Sequence, residues 1–322
     1  MAEHKQLDAI WTKIEKAPQI AIFRHVNPDP DAYGSQFALA QIIHDNFPQK
    51  RIYCYGERVE RLSYIYEDCP DMFTTLPTTL DDMLIITVDT ANKERIDNGG
   101  IDLPKIDIKI DHHPNLDHYA IAEYVNDNTP ATCAILLGYF LSQEKRNADF
   151  IIQTSVYEKL YAGIIGDTGN FSYGKGLNQA FFNNVGIIFE KIDTKKMLAR
   201  FFQKTRSEVV FKGFIATQIQ TIGAFAFVAF DSTVVEKHDV TLDYATSLVN
   251  IMSEIENIEV WASFCEDKKN QIIRCSLRSR YHNISLIAQQ FGGGGHPNAS
   301  GVRVKTWDEV EQIKQAVINL VE

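Results

Sequence analysis

The sequence predicts an α/β protein of two domains, a parallel-sheet N-terminal domain followed by a smaller mixed α/β C-terminal domain. Three observations lead there. The chain has 322 residues, about twice the length of a common single domain. Through its first half, short apolar runs alternate with helical patterns, the mark of stacked βαβ units. After residue 186 a polar, helix-favouring stretch interrupts the alternation, and then it restarts.

The elements follow in order. Residues 19–25, 51–55 and 84–89 are short and rich in β-branched or aromatic side chains, as strands are. Residues 105–111 read KIDIKID, with Ile106, Ile108 and Ile110 on one face, so a strand with one buried side is expected. Helical patterns cover 33–47, 132–142 and 155–165. Residues 193–212 read as one connecting helix. The second half continues with a strand at 224–230, a helix at 242–255, and strands at 260–265 and 271–278. A helix at 284–291, a glycine run, a strand at 301–305 and a helix at 307–321 complete it. The expected domains are 1–190 and 216–322, with 191–215 as linker.

Composition narrows the function. Hydrophobic residues make up 45% and charged residues 23%, a globular balance that excludes disorder and fibrous repeats. Net charge is −10, from 32 basic and 42 acidic residues, which argues against a broad cationic surface for long duplex nucleic acid. An anionic substrate would need cations gathered locally. The longest purely apolar stretch, 222–230, has nine residues, whereas a spanning helix needs about 20. The N-terminus lacks an apolar core with a small-residue cleavage site, so no signal peptide is expected. The five cysteines form no C-x-x-C pair and read as buried thiols of a cytoplasmic protein.

The informative feature is where Asp and His fall. His25 closes the first strand and leads into NPDPDAYGS; Asp89 closes the third. Asp111, His112 and His113 close the KIDIKI strand, and Asp167 follows the apolar GIIG segment. Ligand crevices of open parallel sheets lie at the carboxyl ends of strands, so these residues are expected to converge. Asp29, Asp31, Asp89 and Asp167 would then repel one another, by about 4 kcal/mol per pair at 4 Å and an effective dielectric near 20. A domain stable by about 5–15 kcal/mol does not carry that uncompensated. Two divalent cations would cancel the charge, and imidazole with carboxylate suits Mn²⁺, Zn²⁺ or Fe²⁺. Two such ions about 3.5–4 Å apart are a standard arrangement for hydrolysis at phosphorus.

These residues carry a resemblance. His25-x-Asn27-Pro28-Asp29-x-Asp31-Ala32-x-Gly34-Ser35, Asp89-Thr90-Ala91 with Arg95, Asp111-His112-His113, and Gly166-Asp167-Thr168-Gly169 look like the four motifs of the DHH phosphoesterase family. Ser276-Leu277-Arg278-Ser279 and Gly292-Gly293-Gly294-Gly295-His296-Pro297-x-Ala299-Ser300-Gly301 are similar to the DHH-associated domain of its oligoribonuclease and pAp phosphatase branch. Many members have Gly where this chain has Pro30. Proline holds Asp29 extended, and an extended run would turn Asp29 and Asp31 to one side.

The resemblance implies two Mn²⁺ ions per active site, with Mg²⁺ or Co²⁺ as substitutes. His25 and Asp29 would hold the first and Asp31, His112 and Asp167 the second, with Asp89 bridging. Asp111 would orient His112, and His113 would face the scissile phosphate. Arg278, Ser279, Gly293, Gly294, Gly295 and His296 would hold a nucleotide phosphate across an interdomain cleft. Arginine suits phosphate through its planar fork, and glycines let backbone N–H groups approach an anion. Phe171, Tyr173 and Phe291 suit base stacking and core packing equally. The implied partners are short single-stranded RNA or DNA oligomers and small nucleotides, with neither long duplex nor membrane; the family also admits a homodimer. Hydrolysis of short oligoribonucleotides or 3'-phosphoadenosine 5'-phosphate (pAp) is the leading reading. Inorganic pyrophosphatase or polyphosphatase activity, or a non-catalytic nucleotide sensor, stands as the alternative.

Overall fold

The structure is a computed structural model that describes residues 2–69, 80, 82–103 and 105–322. It divides into two compact units, 1–202 and 203–322.

In the first unit, helix α1 (Ala2–Lys16), which the sequence reading did not pick out, buries Leu7, Ile10, Trp11 and Ile14 as an i, i+3, i+4, i+7 stripe. There follow β1 (Gln19–Phe23), α2 (Pro30–Asn46), β2 (Arg51–Cys54), β3 (Leu84–Val88), β4 (Ile108–Asp111) and β5 (Ala122–Val125). Then come α3 (Thr132–Arg146), α4 (Thr154–Asp167), α5 (Gln179–Lys191) and α6 (Thr194–Phe202). The five strands run in the order β2-β1-β3-β4-β5, every neighbour parallel. The order reverses between β1 and β3, and a crevice outside that switch point is where open α/β sheets bind ligands.

The KIDIKID segment departs from expectation. All of β4 is buried, Lys109 and Asp111 included, because an interior parallel strand is covered on both faces. Its alternation therefore marks apolar core on one side and buried charge on the other.

Close helix contact sets up the site. A β-carbon on Gly34 of α2 would lie 2.5 Å from the Lys159 carbonyl, and one on Gly163 of α4 would lie 2.7 Å from Asp31 Oδ1. Glycine at both positions lets α2 and α4 touch. The N-terminus of α2, with Asp31, thereby meets the C-terminal half of α4, which ends on Asp167.

In place of one connecting helix the chain forms α6 and then α7 (Arg206–Thr217). They belong to different cores: Met197 of α6 packs in the first unit, and Phe211 and Ile215 of α7 in the second. Thr205 and Glu208 form a reciprocal capping box that starts α7, which is why the helical pattern breaks there.

The second unit holds β6 (Gln220–Ile222), β7 (Phe225–Phe230), α8 (Ser232–Lys237), α9 (Leu242–Ser247), β8 (Val260–Asp267) and β9 (Ile272–Ser279). It ends with α10 (Ser285–Gln290), β10 (Gly294–His296), β11 (Ala299–Val304) and α11 (Trp307–Val321). The sheet order is β10-β11-β9-β8-β7-β6, antiparallel except for the β7–β8 pair. Alternation along β7 feeds two cores, Phe225 and Phe227 to one, Ala226, Val228 and Phe230 to the other, as a strand covered on both faces requires. Among the described residues, no helix is long and apolar enough to cross a membrane.

Candidate metal centre

Three neighbouring strands deliver the centre. His25 lies two residues past β1, Asp89 one past β3, and Asp111 ends β4 with His112 and His113 following. Asp89 adopts a left-handed backbone (φ 50°), as does Asn27 (φ 53°). Asp and Asn tolerate that region better than most residues, and such strain concentrates at functional sites. Asp167 is not at a strand end as expected: it occupies the last turn of α4. The helical pattern expected over 155–165 runs on through Gly166 to Asp167, so this carboxylate is carried by a helix end rather than a strand end.

Pro30 also acts differently from the expectation. It is the first residue of α2, where its missing N–H costs nothing. Asp29 is the helix cap, its Oδ1 accepting the N–H groups of Asp31 (2.9 Å) and Ala32 (3.0 Å). Asp31 is already helical, so the two aspartates join different clusters rather than one side of an extended run.

Two sets of three donors flank Asp89, His25–Asp29–Asp89 and Asp31–His112–Asp167, and a third, Asp89–His112–His113, overlaps them. His25 Nε2 lies 3.4 Å from Asp89 Oδ2 and 3.6 Å from Asp29 Oδ2. His112 Nε2 lies 3.4 Å from Asp89 Oδ1, 3.1 Å from Asp167 Oδ2 and 4.0 Å from Asp31 Oδ2. Asp89, 1% exposed, thus offers one oxygen to each flanking set. His113 Nδ1 approaches the same carboxylate at 3.6 Å.

The clustered donors shift one another's pKa values. Burial pulls the His112 pKa down, but Asp167, Asp89 and Asp31 outweigh it and push it up to about 10. His25 is likewise raised well above its ordinary value, Asp29 and Asp89 overcoming burial. Burial and the neighbouring Asp89 and Asp167 carboxylates raise Asp31, and burial raises Asp167 to about 6. Among the described residues, Asp89 Oδ2 and His112 Nε2 are buried and make no hydrogen bond. Buried polar atoms are nearly always satisfied, so these two atoms, in an all Asp/His donor set, fit divalent cations of the Mn²⁺ type.

The structure redirects Asp111. It was expected to orient His112; instead its Oδ1 accepts the His113 backbone N–H (3.1 Å) and lies 2.8 Å from His113 Nδ1. Residues i and i+2 share a side of an extended chain, which leaves His112 pointing away, its Nδ1 3.3 Å from the Thr129 carbonyl.

Sequence reasoning missed the supports. Both Asp31 oxygens accept backbone N–H groups from the start of α3, Thr132 (2.7 Å) and Cys133 (2.9 Å), and Thr132 Oγ1 donates to Asp89 Oδ1 (3.2 Å). No side chain of α3's own cap does this work, so Asp31 caps the helix from outside. The buried Lys109 ammonium donates to the carbonyls of Ala91 (3.0 Å) and Asp117 (3.2 Å) and to Asn115 Oδ1 (3.1 Å), 3.8 Å from Asp111 Oδ2. It ties the Asp89–Ala91 turn to the loop after His113. A lysine inside an alternating strand was the available signal.

In the second unit, Ala299 of β11 pairs with Arg278 on one side and His296 on the other. Directly opposed residues share a face, so the arginine and histidine stand in one row, two strand spacings or about 10 Å apart. Ser279 does not join them: its hydroxyl accepts the N–H groups of Tyr281 (3.2 Å) and His282 (2.8 Å), which closes the turn after β9. The glycine run is also partly architectural. A β-carbon on Gly293 would collide with the Gly301 carbonyl, and one on Gly295 (φ 140°) would lie 2.5 Å from that of Ala299. Gly294 faces open space.

Comparison with known proteins accords with this geometry. The first unit matches the DHH family N-terminal domain over residues 19–164, and the second matches the DHHA1 domain over residues 224–322. The chain is 32% identical to the bifunctional oligoribonuclease and PAP phosphatase NrnA of Bacillus subtilis, covering 91% of this chain and 92% of the relative. It is also 32% identical to the probable bifunctional oligoribonuclease and PAP phosphatase NrnA of Streptococcus mutans, covering 97% and 98%. Among solved structures, an exopolyphosphatase-related protein from Bacteroides fragilis shares the fold, with a TM-score of 0.80 at 21% identity over 98% of this chain and 96% of that one. RecJ from Thermus thermophilus, solved with Mn²⁺, has a TM-score of 0.55 at 9% identity over 99% of this chain and 54% of that one. The chain belongs to the DHH family, in which an N-terminal DHH domain is joined here to a DHHA1 domain and whose named relatives are phosphoesterase hydrolases.

Proposed function

We propose that this protein is a Mn²⁺-dependent phosphoesterase that hydrolyses short oligoribonucleotides and pAp in the cytoplasm. The observation that carries the reading is Asp89, whose two oxygens face His25 and His112 at 3.4 Å each, with Asp29 completing one set of donors and Asp31 and Asp167 the other. Two divalent cations bound there would neutralise phosphate oxygens and activate water for attack at phosphorus.

The chain's own groups do the rest. The N-terminus of α3 and Thr132 hold Asp31 and Asp89 in place before substrate arrives, so no reorganisation is needed during the reaction. Asp111 orients His113, which faces the scissile phosphate and stabilises charge developing on the leaving oxygen. Burial raises the Asp111 pKa, but His113 and Lys109 bring it below its ordinary value, so the carboxylate stays anionic opposite the imidazole. In the second unit, Arg278 and His296 stand in one row of the sheet, and a guanidinium there suits a phosphate group. The acidic surface suits small substrates, and five unpaired, buried cysteines suit a reducing compartment.

Rates on pAp, a dinucleotide, oligomers up to ten residues and pyrophosphate, each with Mn²⁺, test the proposal. Release of mononucleotide from the dinucleotide and of phosphate from pAp is expected. Turnover of pyrophosphate alone would overturn the substrate assignment.

A further inference from the structure

After Asp167 the backbone does something costly. Gly169 (φ 52°), Asn170 (φ 56°) and Phe171 (φ 66°) are left-handed in succession, a region that strains any residue with a β-carbon and a bulky one most. Thr168 pays for it with three bonds: its hydroxyl accepts the Phe171 N–H (2.9 Å), and its carbonyl accepts those of Ser172 (2.8 Å) and Tyr173 (3.1 Å). The next anchor lies at Gly176 (φ 71°), which lies so close to Asn128 that a β-carbon there would collide with the Asn128 carbonyl. Residues 169–176 therefore bridge Asp167 and the 128–130 loop, whose Thr129 carbonyl contacts His112.

The aromatic residues of this bridge separate into two kinds. Phe171 packs inward, its ring 6.5 Å from Tyr161, 6.3 Å from Phe181 and 5.9 Å from Phe182. Tyr173 is 57% exposed, and one side of its ring lies against Gly169, where any β-carbon would collide with it. Glycine two residues past Asp167 thus lets an exposed aromatic ring settle against the turn that follows this donor. Strain held by this many constraints, next to the chemistry, is a motive to look for function.

We propose that Tyr173 is the stacking platform for a nucleobase of the substrate whose phosphate enters the centre, an assignment that rests on the phosphoesterase reading above. Stacking accepts any base, since each has a π-face, and so the platform fits an enzyme of short oligomers without sequence preference. It makes Tyr173 a specificity residue for nucleotides over other phosphate esters.

The test compares wild type, Tyr173→Ala and Tyr173→Phe on an RNA dinucleotide and on the same dinucleotide with both bases removed. Tyr173→Ala is expected to raise KM for the dinucleotide by roughly 5- to 150-fold, the range for one base–aromatic stack, with little loss in kcat. Tyr173→Phe is expected to restore KM. On the abasic compound the ratio of the wild-type and Tyr173→Ala values should collapse toward one. An equal loss on both compounds would make Tyr173 a structural prop of Asp167, and no loss on either would remove it from the substrate; both overturn the proposal. Failure of wild type to cleave the dinucleotide would instead overturn the phosphoesterase reading.

Discussion

The two units treat their buried and half-buried charges in opposite ways. At the metal centre, three ionisable atoms, Asp89 Oδ2, Asp111 Oδ2 and His112 Nε2, are buried without a hydrogen bond. Burial and crowding raise Asp31 and Asp167, while the His25 imidazole outweighs burial and lowers Asp29. In the second unit the charged groups are mostly satisfied. Arg274 binds Asp267 (2.7 Å) and Asp243 (2.8 Å), and His282 binds Glu259 (2.6 Å). The difference teaches how to separate a site from its scaffold. Three unbonded ionisable atoms within one cluster of Asp and His mark a ligand site, whereas isolated unbonded atoms such as Trp261 Nε1 and Ser263 Oγ do not.

Removing a donor from that cluster should cost activity and spare the fold. Asp89→Ala is expected to lower kcat/KM on the order of 10³-fold or more, since it takes a donor from both sets at once. In chelator its melting temperature should not fall, because a buried and crowded carboxylate has gone. A large loss of stability with activity intact would reverse the roles assigned here.

Removing a satisfied group should do the opposite. Lys109→Met strips three acceptors of one buried ammonium, and loss of about 3–5 kcal/mol is expected. Urea unfolding without metal would measure it, and an unchanged midpoint would show that Lys109 supports nothing. Arg278→Ala tests the intermediate case. Its loss should be about 10- to 150-fold in kcat/KM for pAp, corresponding to about 1.5–3 kcal/mol for a charge-assisted bond. Bis-p-nitrophenyl phosphate, which has no second phosphate to hold, should be hydrolysed nearly as before. Equal damage to both substrates would place Arg278 in the chemistry.

The smallest effect is pH-dependent stability without metal. His112 and Asp167 have raised pKa values, so the folded state binds more protons than the unfolded one, and stability falls as pH rises. The Asp167 contribution is lost between its ordinary value near 3.8 and about 6, and that of His112 between about 6.5 and 10. Mn²⁺ should flatten the decline by displacing those protons. Melting curves from pH 5 to 9, with and without Mn²⁺, measure it; identical slopes would contradict the proton accounting.

Much of this was legible in the sequence because it is local. Strand ends, apolar periods and the HVNPDPD and DHH runs each occupy a few consecutive residues. The partners of Asp31 could not be read, since Thr132 and Cys133 lie a hundred residues away and act through backbone N–H groups that any residue offers. The swap of Asp111 from His112 to His113 depended on which side each side chain takes at a strand end. The helix at 155–165 was legible, but its extension to Asp167 was not, because the rule that places ligands at strand ends also drew Asp167 there. In the second unit, Gly293 and Gly295 looked like a ligand cradle, yet their small size is used by the neighbouring strand.

The central claim is that Asp89 joins two cation sites in one centre. Titration of the metal-free protein with Mn²⁺ by calorimetry at pH 8, in buffers of different ionisation enthalpy, tests it most directly. Two ions per chain with net proton release are expected for wild type, and weakened binding at both sites for Asp89→Ala. A stoichiometry of one or none, or two sites that Asp89→Ala leaves untouched, would contradict the account.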